Sequence, residues 1–150
     1  MEKAVTISIK GKQEMDGMPA DHMELVTQGK LERQSGVYTI TYQESEVTGM
    51  EGTQTTIQVE EDGECVTLMR TGGYNSQMVF EEGRRHLSMY NTPYGAMAIG
   101  VNTRHLLAEL DEKGGCVEVD YTIEIEHAIV GRNTFQIKVK EAAPGGSLKQ

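Results

Sequence analysis

The sequence predicts an all-β protein in which antiparallel strands follow one another as a meander and close into a barrel. Three observations carry this prediction. Apolar and polar residues alternate along most of the 150-residue chain. Glycine-containing pairs stand between the alternating runs, and 17 glycines accompany only 3 prolines. Regularly spaced turns between alternating strands are typical of antiparallel barrels and sandwiches.

The alternation has the period of a half-buried strand, because successive side chains of a strand point to opposite faces. Val5, Ile7 and Ile9 alternate with polar side chains. The same pattern occurs in four further segments: 38–42, 55–60, 117–125 and 135–140. One apolar and one wet face per strand favours an antiparallel sheet over a parallel sheet that is buried on both faces.

The turns are marked by pairs that tolerate a positive φ, as tight hairpins require. They are Asp16-Gly17, Ser35-Gly36, Glu51-Gly52, Asp62-Gly63, Gly72-Gly73, Glu82-Gly83 and Gly114-Gly115. Together with the alternation they predict eleven strands: 3–15, 22–34, 37–46, 53–61, 64–71, 76–82, 85–92, 96–102, 104–111, 115–127 and 133–141.

Two places in this series are less regular. Residues 103–112 also fit a short helix that Thr103 caps, because three leucines share a helical stripe. A strand is favoured, since it would pair with 115–127 across a short turn. Pro93 cannot donate to a ladder and therefore predicts an edge or a corner.

Length and composition predict one domain over residues 1–142 and a flexible tail over 143–150, which lacks periodicity. The net charge of −9 leaves no diffuse basic surface, so neither nucleic acid nor anionic lipid is an expected partner. No run of about 18 apolar residues predicts a membrane span. No signal peptide is recognisable, and Cys65 and Cys116 are too far apart to form a redox motif. We expect reduced thiols in a cytoplasmic protein.

Motifs for catalysis, cofactors and metals are not found. The chain has no phosphate-binding loop, dinucleotide fingerprint, zinc-protease motif, nucleophile elbow or calcium loop. Its four histidines lack ligand spacing, so no metal and no cofactor are predicted. Acidic residues beside both cysteines should raise the pKa of each thiol, which argues against a catalytic nucleophile.

One constellation does point to a site. If Tyr38, Ile40 and Tyr42 face inward, Glu44 shares their face, and Arg70 likewise shares the face of Val66 and Leu68. Inward charges are costly unless they pair or meet a ligand. A polar anchor at one end of an apolar pocket is the usual layout of a small-molecule site. A charge pair at a solvated rim is the alternative.

A second cluster spans Tyr90 to Gly95, where two tyrosines, Thr92 and a Pro-x-Gly bend lie close together. It predicts either an aromatic lip with hydrogen-bonding tips or a strand corner that packs its rings over the barrel end. Leu87 and Met89 occupy the opposite face of the strand, so either face of this segment is a candidate for the inner one.

Several short motifs occur in a characteristic order. They are Tyr42-x-Glu44, Arg70-Thr71-Gly72, Met78-Val79-Phe80, Tyr90-x-Thr92-Pro93-x-Gly95, Gly114-Gly115, Asp120-Tyr121 and Asn133-x-Phe135-x-Ile137. In this order the motifs resemble the small bacterial YwiB-like family, a domain of unknown function described as a calycin-like β-barrel. The resemblance covers about residues 3–141. It implies a lipocalin-like barrel in a cytoplasmic bacterial protein, and it implies no substrate and no catalytic residue.

The function predicted from these features is noncatalytic binding of a small, partly apolar ligand inside the barrel, and an anionic group on the ligand would suit Arg70. The ligand-binding residues predicted are Tyr42, Glu44, Arg70, Phe80, Tyr90, Thr92 and Tyr121. Two alternatives stay open at this point. One is a protein–protein interaction module that presents an outer face or an edge strand. The other is an enzyme in which Glu44 acts as general base and Arg70 stabilises negative charge. The oligomeric state is open.

Overall fold

The alternating segments form ten antiparallel strands in the computed structural model, which describes residues 2–15, 18–44, 51–73, 75–92, 95–126 and 128–142, with the backbone alone of 90–92. The strands are β1 (Glu2–Met15), β2 (Asp21–Gln34), β3 (Val37–Gln43), β4 (Thr53–Glu60), β5 (Val66–Gly72), β6 (Ser76–Phe80), β7 (Arg85–Thr92), β8 (Gly95–Asp111), β9 (Gly114–Ile125) and β10 (Ala128–Glu141).

Each strand pairs with the next one in the chain, and the first pairs with the last. The β1–β10 ladder runs from Val5↔Glu141 to Met15↔Gly131 and closes the barrel in the order β1-β10-β9-β8-β7-β6-β5-β4-β3-β2. The predicted antiparallel meander barrel is therefore confirmed. No helix long and apolar enough to cross a membrane occurs among the residues that the structure describes.

Strand β8 differs from the prediction, which divided it into strands 96–102 and 104–111. It is one strand with a register shift between Thr103 and His105. The shift moves the inward phase by one residue: Ile99 and Val101 are buried before it, whereas Leu106 packs against the core after it. A bulge inserts one extra residue, so a continuous strand shows two out-of-phase patterns in the sequence. The helix considered for 103–112 does not form.

The turn chemistry agrees with the prediction at the β2–β3 hairpin. Ser35 has φ 52° and Gly36 has φ 79°. Two successive residues with positive φ form the kind of two-residue turn that matches the right-handed twist of paired strands. Ser35-Gly36 thus fixes the register that pairs Gln34 with Val37.

The core fills the barrel with side chains from the inward face of nearly every strand. Its fully buried members include Ile7, Leu31, Ile40, Ile57, Val66, Phe80, Val101 and Val117. Five strands are long, with 12 to 17 residues (β1, β2 and β8–β10), whereas β3–β7 have 5 to 8 residues. The predicted tail 143–150 and the corner at Pro93 lie outside the described residues.

Candidate ligand-binding site

A cavity of about 320 Å³ opens inside one end of the barrel. It lies where β1, β3 and β5 end and where β2 and β10 begin. Its walls combine apolar, aromatic and charged side chains: Ile9, Gly11, Lys12, Gln13, Asp21, His22, Met23, Leu25, Tyr42, Glu44, Leu68, Arg70, Met78, Tyr121, Asn133, Thr134, Phe135 and Ile137. The volume falls at the lower end of the range of about 300–1,000 Å³ that is common for small-molecule pockets.

Glu44 closes the inward row of β3. Alternation buries Tyr38, Ile40 and Tyr42 and then directs the Glu44 side chain inward, where only 1% of it is exposed. The backbone N–H of Glu44 donates to the carbonyl of Thr53 at 2.8 Å, which continues the ladder beyond the strand. The hydroxyl of Thr55 donates to Oε2 of Glu44. The Glu44 carboxylate therefore has a hydrogen-bond donor in a part of the barrel from which water is largely excluded.

Arg70 approaches the same carboxylate from β5. Its Nε lies 3.9 Å from Oε2 of Glu44, a distance that gives an ion pair but exceeds that of a hydrogen bond. Nε is buried and has no hydrogen-bond partner among the described residues. The side chain as a whole is 22% exposed. The guanidinium thus keeps donor capacity at the wall of the cavity, because its planar fork carries five N–H groups.

Tyr42 lies between these charges and the core. Burial raises the pKa of its phenol well above the ordinary value, and the negative charge of Glu44 raises this pKa further. The nearby Arg70 guanidinium opposes the rise in pKa without reversing it. At neutral pH the Tyr42 hydroxyl is therefore protonated and uncharged at the cavity wall.

The wall contributed by β9 and β10 is aromatic. The rings of Phe80, Tyr121 and Phe135 form a cluster with centroids 4.8, 5.6 and 6.2 Å apart. The side-chain amide of Asn133 donates to the Tyr121 hydroxyl at 3.2 Å. Its carbonyl oxygen, Oδ1, is buried without a hydrogen-bond partner among the described residues. This wall therefore offers flat apolar surface together with one amide group.

Gly11 enlarges the cavity on the β1 wall. It pairs without a register shift with Phe135 on one side and with Met23 on the other. A Cβ built at Gly11 would meet nothing closer than Met23 Cε at 3.8 Å and Thr134 O at 3.9 Å. Neither a bulge, nor a positive φ, nor a close backbone demands glycine here. A Cβ here would make ordinary van der Waals contacts only, so the position has room for one.

Four of the seven predicted site residues line this one cavity: Tyr42, Glu44, Arg70 and Tyr121. Phe80 of β6 is fully buried and packs against Tyr121 and Phe135, and it does not line the cavity. The backbone of Tyr90 and Thr92 belongs to β7. Their side chains lie outside the described part of the chain, and their predicted role in binding stays a prediction.

Strand β7 settles one orientation that the sequence left open. Ser88 is buried, whereas Leu87 is 69% and Met89 57% exposed. The even-numbered face at Ser88 is therefore the inner one, and the two larger apolar residues lie on the outer surface.

Sequence reasoning did not assign Gly11, Asn133 or Phe135 to the site, although all three line the cavity. Asn133 and Phe135 were recognisable from the alternation that ends in Ile137, although only the register shows that Asn133 pairs with Tyr121. Gly11 carried no signal of its own, because a glycine in a strand is also explained by a bulge or by a close backbone.

Neither cysteine belongs to the cavity. Burial, and after it the acidic residue Glu60, raises the pKa of Cys65 to about 11. Burial and the charge of Glu118 raise the pKa of Cys116 as well. The direction predicted from the acidic neighbours is confirmed, with burial as the larger cause. Within the described ranges no group of three or more His, Cys, Asp or Glu side chains has the geometry to hold a metal ion.

The fold and the cavity define an antiparallel β-barrel whose lumen is apolar on one wall and charged on the other. The family model of a domain of unknown function, DUF1934, matches residues 7–137, and the chain belongs to this family. The uncharacterized β-barrel protein YwiB of Bacillus subtilis (strain 168) is 26% identical over 125 residues, which make up 83% of this chain and 84% of that protein.

The crystal structure of the ywiB protein from Bacillus subtilis has the same fold. It superposes with a TM-score of 0.81 at 20% sequence identity, over 95% of this chain and 94% of that chain. The resemblance to the YwiB-like family and the barrel architecture are thereby confirmed. The family brings no known activity, so any function rests on the chemistry of the cavity.

Proposed function

We propose that the barrel is a noncatalytic cytoplasmic protein that binds a small, partly apolar anion in its lumen. The apolar body of the ligand contacts the rings of Tyr121 and Phe135 and the thioethers of Met23 and Met78, which adapt to irregular shapes. Its anionic group accepts hydrogen bonds from Arg70. The protein's two free cysteines support a reducing compartment.

The observation that carries the proposal is the state of the Arg70 guanidinium. Its ion-pair partner Glu44 lies 3.9 Å from Nε, beyond hydrogen-bond distance, and accepts a hydrogen bond from Thr55. The Arg70 side chain is 22% exposed and lines the cavity. A carboxylate or phosphate on a ligand suits it, because the guanidinium fork binds planar oxyanions through two parallel hydrogen bonds.

Isothermal titration calorimetry with a matched pair of probes tests this proposal. We expect 3-phenylpropanoate to bind and 3-phenylpropanol, which has the same body without the charge, to bind more weakly. Replacing Arg70→Met removes the charged donor while keeping an extended apolar side chain. Charged hydrogen bonds contribute about 1.5–3 kcal/mol, so the variant should lose roughly ten- to a hundredfold in affinity for the acid.

Arg104→Met is the matched control, because Arg104 is exposed on β8 and does not line the cavity. It should bind the acid as the unmodified protein does. The proposal fails if neither probe binds, or if Arg70→Met and Arg104→Met bind the acid equally well.

A further inference from the structure

The outer surface of the barrel divides into a charged part and an uncharged part. The outward rows of β1, β2, β9 and β10 each carry several charged side chains between the inward residues. On β3–β7 and on β8 as far as Asn102, the outward rows of the described residues are uncharged except at Glu60 and Arg85. The net charge of −9 is therefore carried by other parts of the surface.

The apolar part of this uncharged side lies on β7 and β8. Leu87 is 69% and Met89 57% exposed. Across the ladder Leu87 pairs with Gly100 and Met89 with Ala98, which is exposed as well. These four residues form the β7–β8 patch, a ridge of two large side chains next to a row of small residues. Apolar side chains that protrude together from a folded protein are typical of interaction surfaces, whereas single ones are common anywhere.

Arg85 borders the β7–β8 patch, and its charge is neutralised there. Its Nε lies 3.4 Å from Oε1 of Glu124, whose other oxygen accepts a hydrogen bond from the side-chain amide of Asn102. A Cβ at Gly100 would lie 2.8 Å from Nη2 of Arg85, so the glycine gives the guanidinium room to lie against the sheet. Arginine is enriched at protein interfaces, whereas lysine, aspartate and glutamate are depleted there.

We propose that the β7–β8 patch binds a second copy of this chain and that the protein forms a two-fold symmetric dimer. The charge distribution favours this occupant. Copies that each carry a net charge of −9 repel one another where charged faces meet. Salt screens charges that are more than about 8 Å apart, so the faces in contact decide whether two copies associate. The uncharged side is the one on which two acidic copies can approach closely.

The shape of the patch is complementary to itself, as a two-fold interface requires. The ridge on β7 and the row of small residues on β8 lie side by side. A two-fold axis along the line between these strands places Met89 of each copy over Ala98 of the other and Leu87 over Gly100. A second copy thus supplies both an uncharged face and the ridge that fits the row of small residues.

Sedimentation velocity at protein concentrations from about 1 µM to about 1 mM tests the proposal, because dimers with small contact areas are weak. The mass should rise with concentration from that of one chain towards that of two. Leu87→Glu should weaken dimerisation at least about tenfold, because the substitution buries an unpaired charge at the contact in both copies.

Val26→Glu is the matched control. Val26 is 68% exposed on the outer face of β2, so both substitutions replace an apolar side chain of similar exposure and add the same charge. This variant should dimerise as the unmodified protein does. A protein that stays monomeric at the highest concentration, or equal dimerisation of the two variants, overturns the proposal.

The methyl resonances of methionine provide a second measurement, which needs no variant. In the unmodified protein the methyl resonance of Met89 should shift as the concentration rises. That of Met18, which lies between β1 and β2 and is 66% exposed, should not shift. A dimer that shifts Met18 and leaves Met89 unchanged uses another surface and overturns the proposal. The patch lies outside the lumen, so these results do not depend on ligand binding.

Discussion

A buried carboxylate at the end of an apolar strand needs partners, and Glu44 has both a hydroxyl donor on Thr55 and a cation on Arg70. Without them the burial of its charge would be costly. The alternation of β3 and β5 was sufficient to predict that both charges face inward. The contact with Thr55 required the β3–β4 register, which places Thr55 opposite Tyr42.

Burial of the Tyr42 phenol, together with the nearby charge of Glu44, predicts a pH effect on stability. The folded-state pKa of Tyr42 is raised, while in the unfolded chain tyrosine ionises near pH 10. The unfolded state therefore releases this proton at a lower pH than the folded state does. The stability that the protonated Tyr42 contributes is complete below pH 10 and is lost as pH rises further. Above about pH 10 the free energy of unfolding should fall, by up to about 1.4 kcal/mol per pH unit from this group.

Tyr42→Phe removes the titrating group. Urea denaturation of both proteins from pH 8 to pH 11 should give a difference in unfolding free energy that is constant below pH 9.5 and shifts in favour of the Phe variant above pH 10. A difference that stays constant to pH 11 would show that the folded-state pKa is not raised.

At the scale of the strand, the sequence predicted the elements well and their interruptions poorly. Most strand bounds followed from alternation and turn pairs, because they depend on local side-chain chemistry, whereas β10 begins at Ala128 and not at the predicted residue 133. The bulge in β8 was not predicted, because in the sequence a phase shift at Thr103 looks like the end of one strand and the start of another. Gly11 and Gly29 both lie within strands, and the sequence does not indicate that their surroundings differ.

These glycines give a matched pair of substitutions. A Cβ at Gly29 would lie 2.3 Å from the backbone oxygen of Thr41 and 2.6 Å from Ile7 Cδ1, whereas a Cβ at Gly11 meets only ordinary contacts. Gly29→Ala should destabilise the barrel by about 1–3 kcal/mol, the usual cost of overpacking. Gly11→Ala should be neutral or stabilise it by about 0.4–1 kcal/mol.

Urea denaturation of the two variants measures both effects. Equal losses of stability would mean that Gly11 is packed as tightly as Gly29. In that case the β1 wall would hold no space for a ligand.

At the scale of the whole barrel, closure between β1 and β10 creates the site. It brings Gly11 beside Phe135 and sets Asn133 across the lumen from Arg70. No local pattern in the sequence encodes these juxtapositions, since they depend on the register of ten strands together. The sequence therefore predicted the charged end of the site and, on the opposite wall, Tyr121 alone. The interaction-module and enzyme hypotheses stay predictions.

The excess acidic charge belongs largely to the outside of the barrel. Glu118 and Asp120 alternate with the buried Val117 and Val119 of β9, and Arg132 pairs with Asp120 at 3.1 Å. Charges on the outer face of a barrel interact with water. Inside the cavity, Arg70 and Glu44 form an ion pair.

The central claim is that the lumen holds an anion on Arg70, and a crystal structure of the protein with 3-phenylpropanoate tests it most directly. The account predicts the probe inside the cavity, its carboxylate within hydrogen-bond distance of the Arg70 guanidinium and its ring against Phe135 and Tyr121. A probe bound only on the outer surface, or a lumen in which Arg70 bonds Glu44 directly and side chains fill the space, would contradict it.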